Sequence, residues 1–101
     1  MKLGNRIKEL RESQGLLQRQ LSAQLEIDTP MFSKIERGER RAKREQLLKI
    51  ADILKVDKDE LLALWLTDQL LDIVTEEEQA LKALEMATND IKEIKKNKVS
   101  K

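Results

Sequence analysis

The 101-residue sequence has no Cys, no His and no Tyr, and its only aromatic side chains are Phe32 and Trp65. Without Cys there is no disulfide framework, no thiolate nucleophile and no zinc–thiolate site. Without His, the commonest general base and the commonest transition-metal ligand are missing. Glycine is confined to Gly4, Gly15 and Gly38 and proline to Pro30, so no Gly-rich phosphate loop is present. No apolar run approaches the ~18 residues of a membrane span. The N-terminus enters a charged pattern directly, with no apolar signal region. These absences point to binding rather than catalysis. No enzyme activity, cofactor or metal is expected, and the expected location is cytoplasmic.

What is abundant is charge, at 39 % of the residues, yet 20 Lys+Arg against 19 Asp+Glu leave a net charge of only +1. That near-neutrality hides a division. Residues 1–44 carry 11 basic and 6 acidic side chains, residues 45–91 carry 4 and 12, and residues 92–101 carry 5 and 1. A binding face senses local charge, so the basic first part is suited to a polyanion and the acidic middle is not.

Apolar spacing is helical throughout, with no alternating strand pattern. The spacing predicts a first helix over Leu3 to Gln14, with Leu3, Ile7 and Leu10 on one face and Gly15 just past its end. A second is predicted over Gln18 to Leu25. Asp28 as N-cap and Pro30 in the first turn predict a third over Thr29 to Arg37. A basic loop, Glu39 to Lys43, leads to a fourth over Arg44 to Lys55 with the apolar set Leu47, Leu48, Ala51 and Leu54. Asp57 and Glu60 open a fifth, which carries Leu61, Leu62, Trp65, Leu66, Leu70 and Leu71. Thr75 with Glu78 matches a capping box and predicts a last helix from Glu76 into the Lys-rich tail.

The informative segment is residues 16–38. Two short helices meet through the turn Glu26-Ile27-Asp28, and Leu21, Leu25, Ile27, Phe32 and Ile35 are spaced to share one core. The outer face of the second helix then carries Thr29, Pro30, Met31, Ser33, Lys34 and Arg37. Gln18-Arg-Gln-Leu21-Ser, Ile27-Asp28 and Phe32-Ser-Lys-Ile-Glu36-Arg-Gly38 resemble the Cro/repressor-type helix-turn-helix of the XRE family. The resemblance covers about Leu3 to Leu62, since Leu47-Leu-Lys-Ile-Ala51 and Leu54-Lys-Val56 also match its fourth helix and connection. It implies an all-α, five-helix lambda-repressor-like domain over residues 1–66, with residues 67–101 as an added helical extension.

The resemblance also implies roles. In such regulators the second helix of the pair enters the major groove, so Thr29, Pro30, Met31, Ser33 and Lys34 occupy base-reading positions. Lys34 suits the acceptor edge of guanine; Thr29 and Ser33 can donate or accept; Pro30 or Met31 could meet a thymine methyl. Gln18 matches a glutamine that contacts a phosphate and braces the reading helix, with Arg19 beside it. Arg37, Arg40, Arg41, Lys43 and Arg44 form a basic rim for phosphates. Glu36 corresponds to a position that pairs with an arginine of the first helix, here Arg11, and is structural rather than chemical. The sequence departs from the pattern at Leu17, which cannot N-cap, at a cost of ~0.5–2 kcal/mol unless replaced. It departs also at Glu26, where a turn glycine is common, and at Ser22, where alanine is usual.

Residues 61–74 are too apolar for a helix with one covered side. The last helix carries a stripe including Leu81, Leu84 and Ile91 that could fold back on helix five or pair with a second copy. A homodimer is expected, with Trp65, Leu66, Leu70, Ile73, Leu81, Leu84 and Ile91 as its dimerisation set. The expected partner is double-stranded DNA at a pseudo-palindromic operator, with reading helices ~34 Å apart. The expected role is a repressor or autoregulator. Trp65-Leu-Thr-Asp68 resembles regulators found near DNA methyltransferases, which brings a restriction–modification operon into view. The alternative is an interaction or antitoxin-like module that binds a protein partner through helices five and six.

Overall fold

The computed structural model describes residues 2–99. In chain order it contains α1 (Lys2–Ser13), α2 (Gln18–Leu25), α3 (Thr29–Glu36), α4 (Arg44–Leu54), α5 (Lys58–Val74) and α6 (Ala80–Val99), and among the described residues no strand. The fold is all-α, and among those residues no helix is long and apolar enough to cross a membrane. The chain divides into two compact units, the first ending at Gln69 and the second beginning at Leu70. The division falls inside α5.

The first unit is built around α3, which packs on α1 and α2, while α2 packs on α4. Ile7, Leu21, Phe32, Leu47, Ile50, Leu54 and Leu61 are fully buried at its centre. Each such side chain contributes about 1.5–3 kcal/mol relative to exposure. Helices as short as α2 and α3, eight residues each, are marginal alone and need this shared burial. In α4 the buried face is Leu47, Ile50, Ala51 and Leu54, which is i, i+3, i+4, i+7. Ile50 therefore takes the inner place and Leu48 lies at the surface, a correction to the expected apolar set.

Helix ends follow local chemistry. Asp28 caps α3, its Oδ1 accepting the Met31 N–H at 2.7 Å. Leu17 supplies no cap oxygen, but Gln20 Oε1 accepts the Leu17 N–H at 2.7 Å, so half of a capping box replaces the missing bond. Gln46 does the same for Lys43 at 2.8 Å. Glu26 adopts the left-handed conformation (φ +58°), and its neighbour Ile27 donates to Ser22 O at 3.1 Å, so the αL helix ending forms without glycine. The last helix begins at Ala80, not Glu76. Thr75 is used at the end of α5, where both its N–H and its hydroxyl donate to Leu71 O, and it is not free to open a new helix.

Two contacts position the start of α1. Its first N–H groups, those of Lys2 and Leu3, donate to the two carboxylate oxygens of buried Asp68 on α5, each at 3.0 Å. An acid at a helix N-terminus satisfies donors that have no partner inside the helix. At Gly4, α1 touches the end of α3 so closely that a Cβ would lie 2.4 Å from Glu36 O and 2.8 Å from Ile35 O. Both obstacles are backbone. Gly4→Ala is therefore expected to destabilise the first unit by about 1–3 kcal/mol through overpacking. Urea denaturation reads this as a lower midpoint with an unchanged slope.

Candidate nucleic-acid interface

The α2–turn–α3 pair is set by one buried carboxylate. Glu36, 4 % exposed, closes α3 facing inward. Its Oε2 accepts Arg11 Nε at 2.6 Å and its Oε1 accepts Arg11 Nη2 at 3.1 Å, a two-pronged pair. Gln18 Nε2 also donates to Oε1, at 2.9 Å. Arg11 spends a further N–H on Leu16 O at 2.7 Å, which fixes the loop between α1 and α2. The hydrogen bond that Arg11 donates to Glu36 is the main cause that raises the Arg11 pKa, and the pair's attraction adds to it against the cost of burial. Gln18 thus braces α3 through Glu36.

The outer face of α3 is partly committed. Pro30 and Lys34 are exposed, while Thr29, Met31 and Ser33 are half-buried. Thr29 Oγ1 lies 3.0 Å from Ser22 Oγ. Ser33 Oγ accepts Arg37 Nη1 at 2.6 Å. Arg37 in turn is ion-paired with Glu39. The hydrogen bond from Arg37, followed by its charge, holds the Glu39 carboxyl below the ordinary glutamate range, and the same bond raises Arg37. Beyond α3, Arg40, Arg41, Lys43 and Arg44 are exposed, and so is Arg19 on α2. The Arg44 guanidinium sits 5.8 Å from the centre of the Trp65 ring.

Trp65 is half-buried in the first unit, where its indole N–H donates to Ala42 O at 2.9 Å and pins the basic loop to α5. The remaining candidates for dimerisation are surface groups: Leu66, Leu70, Ile73, Leu81 and Ile91 are exposed and Leu84 is half-buried. Asn5 and Lys8 of α1, which the sequence reading did not single out, line one cleft with Gln18, Ser33, Glu36 and Arg37. The only signal available for them was a polar i, i+3 pair on the face of α1 away from Ile7.

The family model described as a helix-turn-helix domain matches residues 2–64, more than half the chain. The chain belongs to the helix-turn-helix domain family. It is 35 % identical over 69 residues to the cryptic phage CTXphi transcriptional repressor RstR of Vibrio cholerae serotype O1, covering 68 % of this chain and 62 % of the repressor. The chain thus spans less than two thirds of that relative's length. It also matches the crystal structure of the restriction-modification controller protein C.AhdI from Aeromonas hydrophila, with a TM-score of 0.56 and 35 % identity. That match covers 59 % of this chain and 91 % of the controller.

Two outcomes follow for this helix-turn-helix. Glu36→Ala leaves the Arg11 charge buried without a partner and is expected to destabilise the domain by about 3–5 kcal/mol in denaturant titration. An NMR titration of the Glu39 carboxyl should give a midpoint below that of an ordinary glutamate, returning towards it in Arg37→Gln. The Arg37–Glu39 pair is therefore present at neutral pH and is lost as pH falls through that lowered midpoint.

Proposed function

We propose that the chain is a sequence-specific double-stranded DNA-binding transcriptional regulator that reads the major groove with α3. One observation carries this reading. The Arg11–Glu36–Gln18 joint holds α3 on a buried frame so that Lys34 and Pro30 face outward, flanked by the exposed cations of the loop at 40–44. Lys34 is assigned to an acceptor-rich base edge, Thr29, Met31, Ser33 and Pro30 to neighbouring bases, and Gln18, Arg19, Arg37, Arg40, Arg41, Lys43 and Arg44 to phosphates. The work is binding rather than turnover, in the cytoplasm.

The relatives support a repressor or an autoregulator, and the controller protein supports a restriction–modification setting. A single module of this kind makes few base contacts. We assign Leu81, Leu84 and Ile91 of α6, together with Trp65, Leu66, Leu70 and Ile73 of α5, to a homodimer interface. A two-fold dimer doubles the base contacts on a pseudo-palindromic site, with the two α3 helices ~34 Å apart.

Binding of labelled duplexes across a salt series tests this. Log affinity should fall linearly with log salt. Lys34→Ala should weaken the preferred site by about 1–3 kcal/mol and random duplex far less, while Arg40→Ala should weaken both alike and reduce the slope by about 1. Undetectable affinity for every duplex at low salt contradicts the reading. Sedimentation equilibrium should give two chains per particle for the wild type and one for Ile91→Asp.

A further inference from the structure

Ser22 is 2 % exposed and stands on α2 directly behind the first residue of α3. Its Oγ is 3.2 Å from Arg19 O and 3.0 Å from Thr29 Oγ1, and distance alone allows either hydroxyl to donate to the other. The two hydroxyls have two protons between them. If Ser22 donates to Arg19 O, Thr29 donates to Ser22, and both internal bonds are made. If Ser22 donates to Thr29, the Arg19 bond is lost and the buried Ser22 oxygen accepts nothing. A buried hydroxyl favours the arrangement that satisfies it most fully. The first arrangement wins, and it turns the Thr29 proton inward, leaving only lone pairs on the outer side of Thr29 Oγ1.

We infer that Ser22 is a positioning residue for base reading: it fixes Thr29 as a hydrogen-bond acceptor, so that Thr29 selects an amino group in the major groove, adenine N6 or cytosine N4. This rests on the reading of α3 as the major-groove helix. Ser33, one turn along the same face, has the opposite polarity. Its oxygen accepts from Arg37, so its proton is available to a base acceptor. Two hydroxyls that look interchangeable in sequence are thereby given different tasks by their neighbours.

The test begins with selection of bound duplexes from a random pool by wild-type protein and by Thr29→Val, which locates the base pair that Thr29 reads. That pair is then remade without its major-groove amino group, as purine in place of adenine or 2-pyrimidinone in place of cytosine. Loss of one such hydrogen bond should weaken wild-type binding about fivefold. Ser22→Ala frees the Thr29 proton and should cut that penalty to within about twofold, and it should change nothing further in the Thr29→Val background. Affinity for random duplex and the preference at the Lys34 pair should stay as in wild type, which a loss of folding would not permit. Wild-type indifference to amino deletion overturns the inference, as does a Ser22→Ala variant that keeps the full penalty, or a Thr29→Val variant that alters no base pair. Absence of wild-type binding to any duplex overturns the DNA reading itself, a separate result.

Discussion

One carboxylate holds the helix-turn-helix in its shape. Glu36 lies at the C-terminal end of α3, where the helix dipole disfavours an anion, and it is almost fully buried. It persists there because three N–H groups from two other helices converge on it. Arg11 brings α1 and, through Leu16 O, the first loop; Gln18 brings the start of α2. Apolar packing of Leu21, Phe32 and Ile35 supplies most of the free energy, but it is non-directional. The charged joint is directional, so it sets the angle at which α3 is presented. A buried pair of this kind adds little net stability over an apolar replacement, and its contribution here is geometric.

Around that joint the charge is sorted by segment. The basic side chains cluster in residues 1–44 and the acidic ones in residues 45–91, so a formal charge of +1 describes neither. The cations near α3 are not equivalent. Arg37 is bound to Ser33 and Glu39, Arg44 lies over Trp65, and Lys34 is exposed on the outer face of α3. In the proposed complex, polyanion attraction draws on all of them, whereas selectivity depends on the few groups whose hydrogen-bond polarity is fixed.

Most caps and apolar contacts between sequence neighbours were legible in the sequence; of the contacts between distant residues, only the Arg11–Glu36 pair and the bracing role of Gln18 were, and those through the family resemblance. The Asp28 cap and the burial of Phe32 and Ile35 follow from residues within one or two turns of each other. The Asp68 cap on α1 joins residues 65 and 66 positions apart, and Gln14 Nε2 reaches Leu54 O across 40. No periodicity announces such pairs. Gly4 reads as an ordinary helix residue until α3 is laid against it. Thr75 shows a different limit: a hydroxyl residue suits a helix start and an i−4 bond at a helix end equally well, and its surroundings chose the second. In the interface, Thr29 and Ser33 were visible as candidates, but their bonds to Ser22 and Arg37 were not.

The proposed mode of binding places α3 in the major groove at two symmetric positions. Dimethyl sulfate interference on a selected duplex tests it most directly, because the reagent marks guanine N7 in the major groove and adenine N3 in the minor groove. Interference is expected at guanine N7 in two clusters one helical turn apart, ~34 Å, with each cluster losing its strongest position in Lys34→Ala. Interference confined to adenine N3, or a single asymmetric cluster, would contradict it.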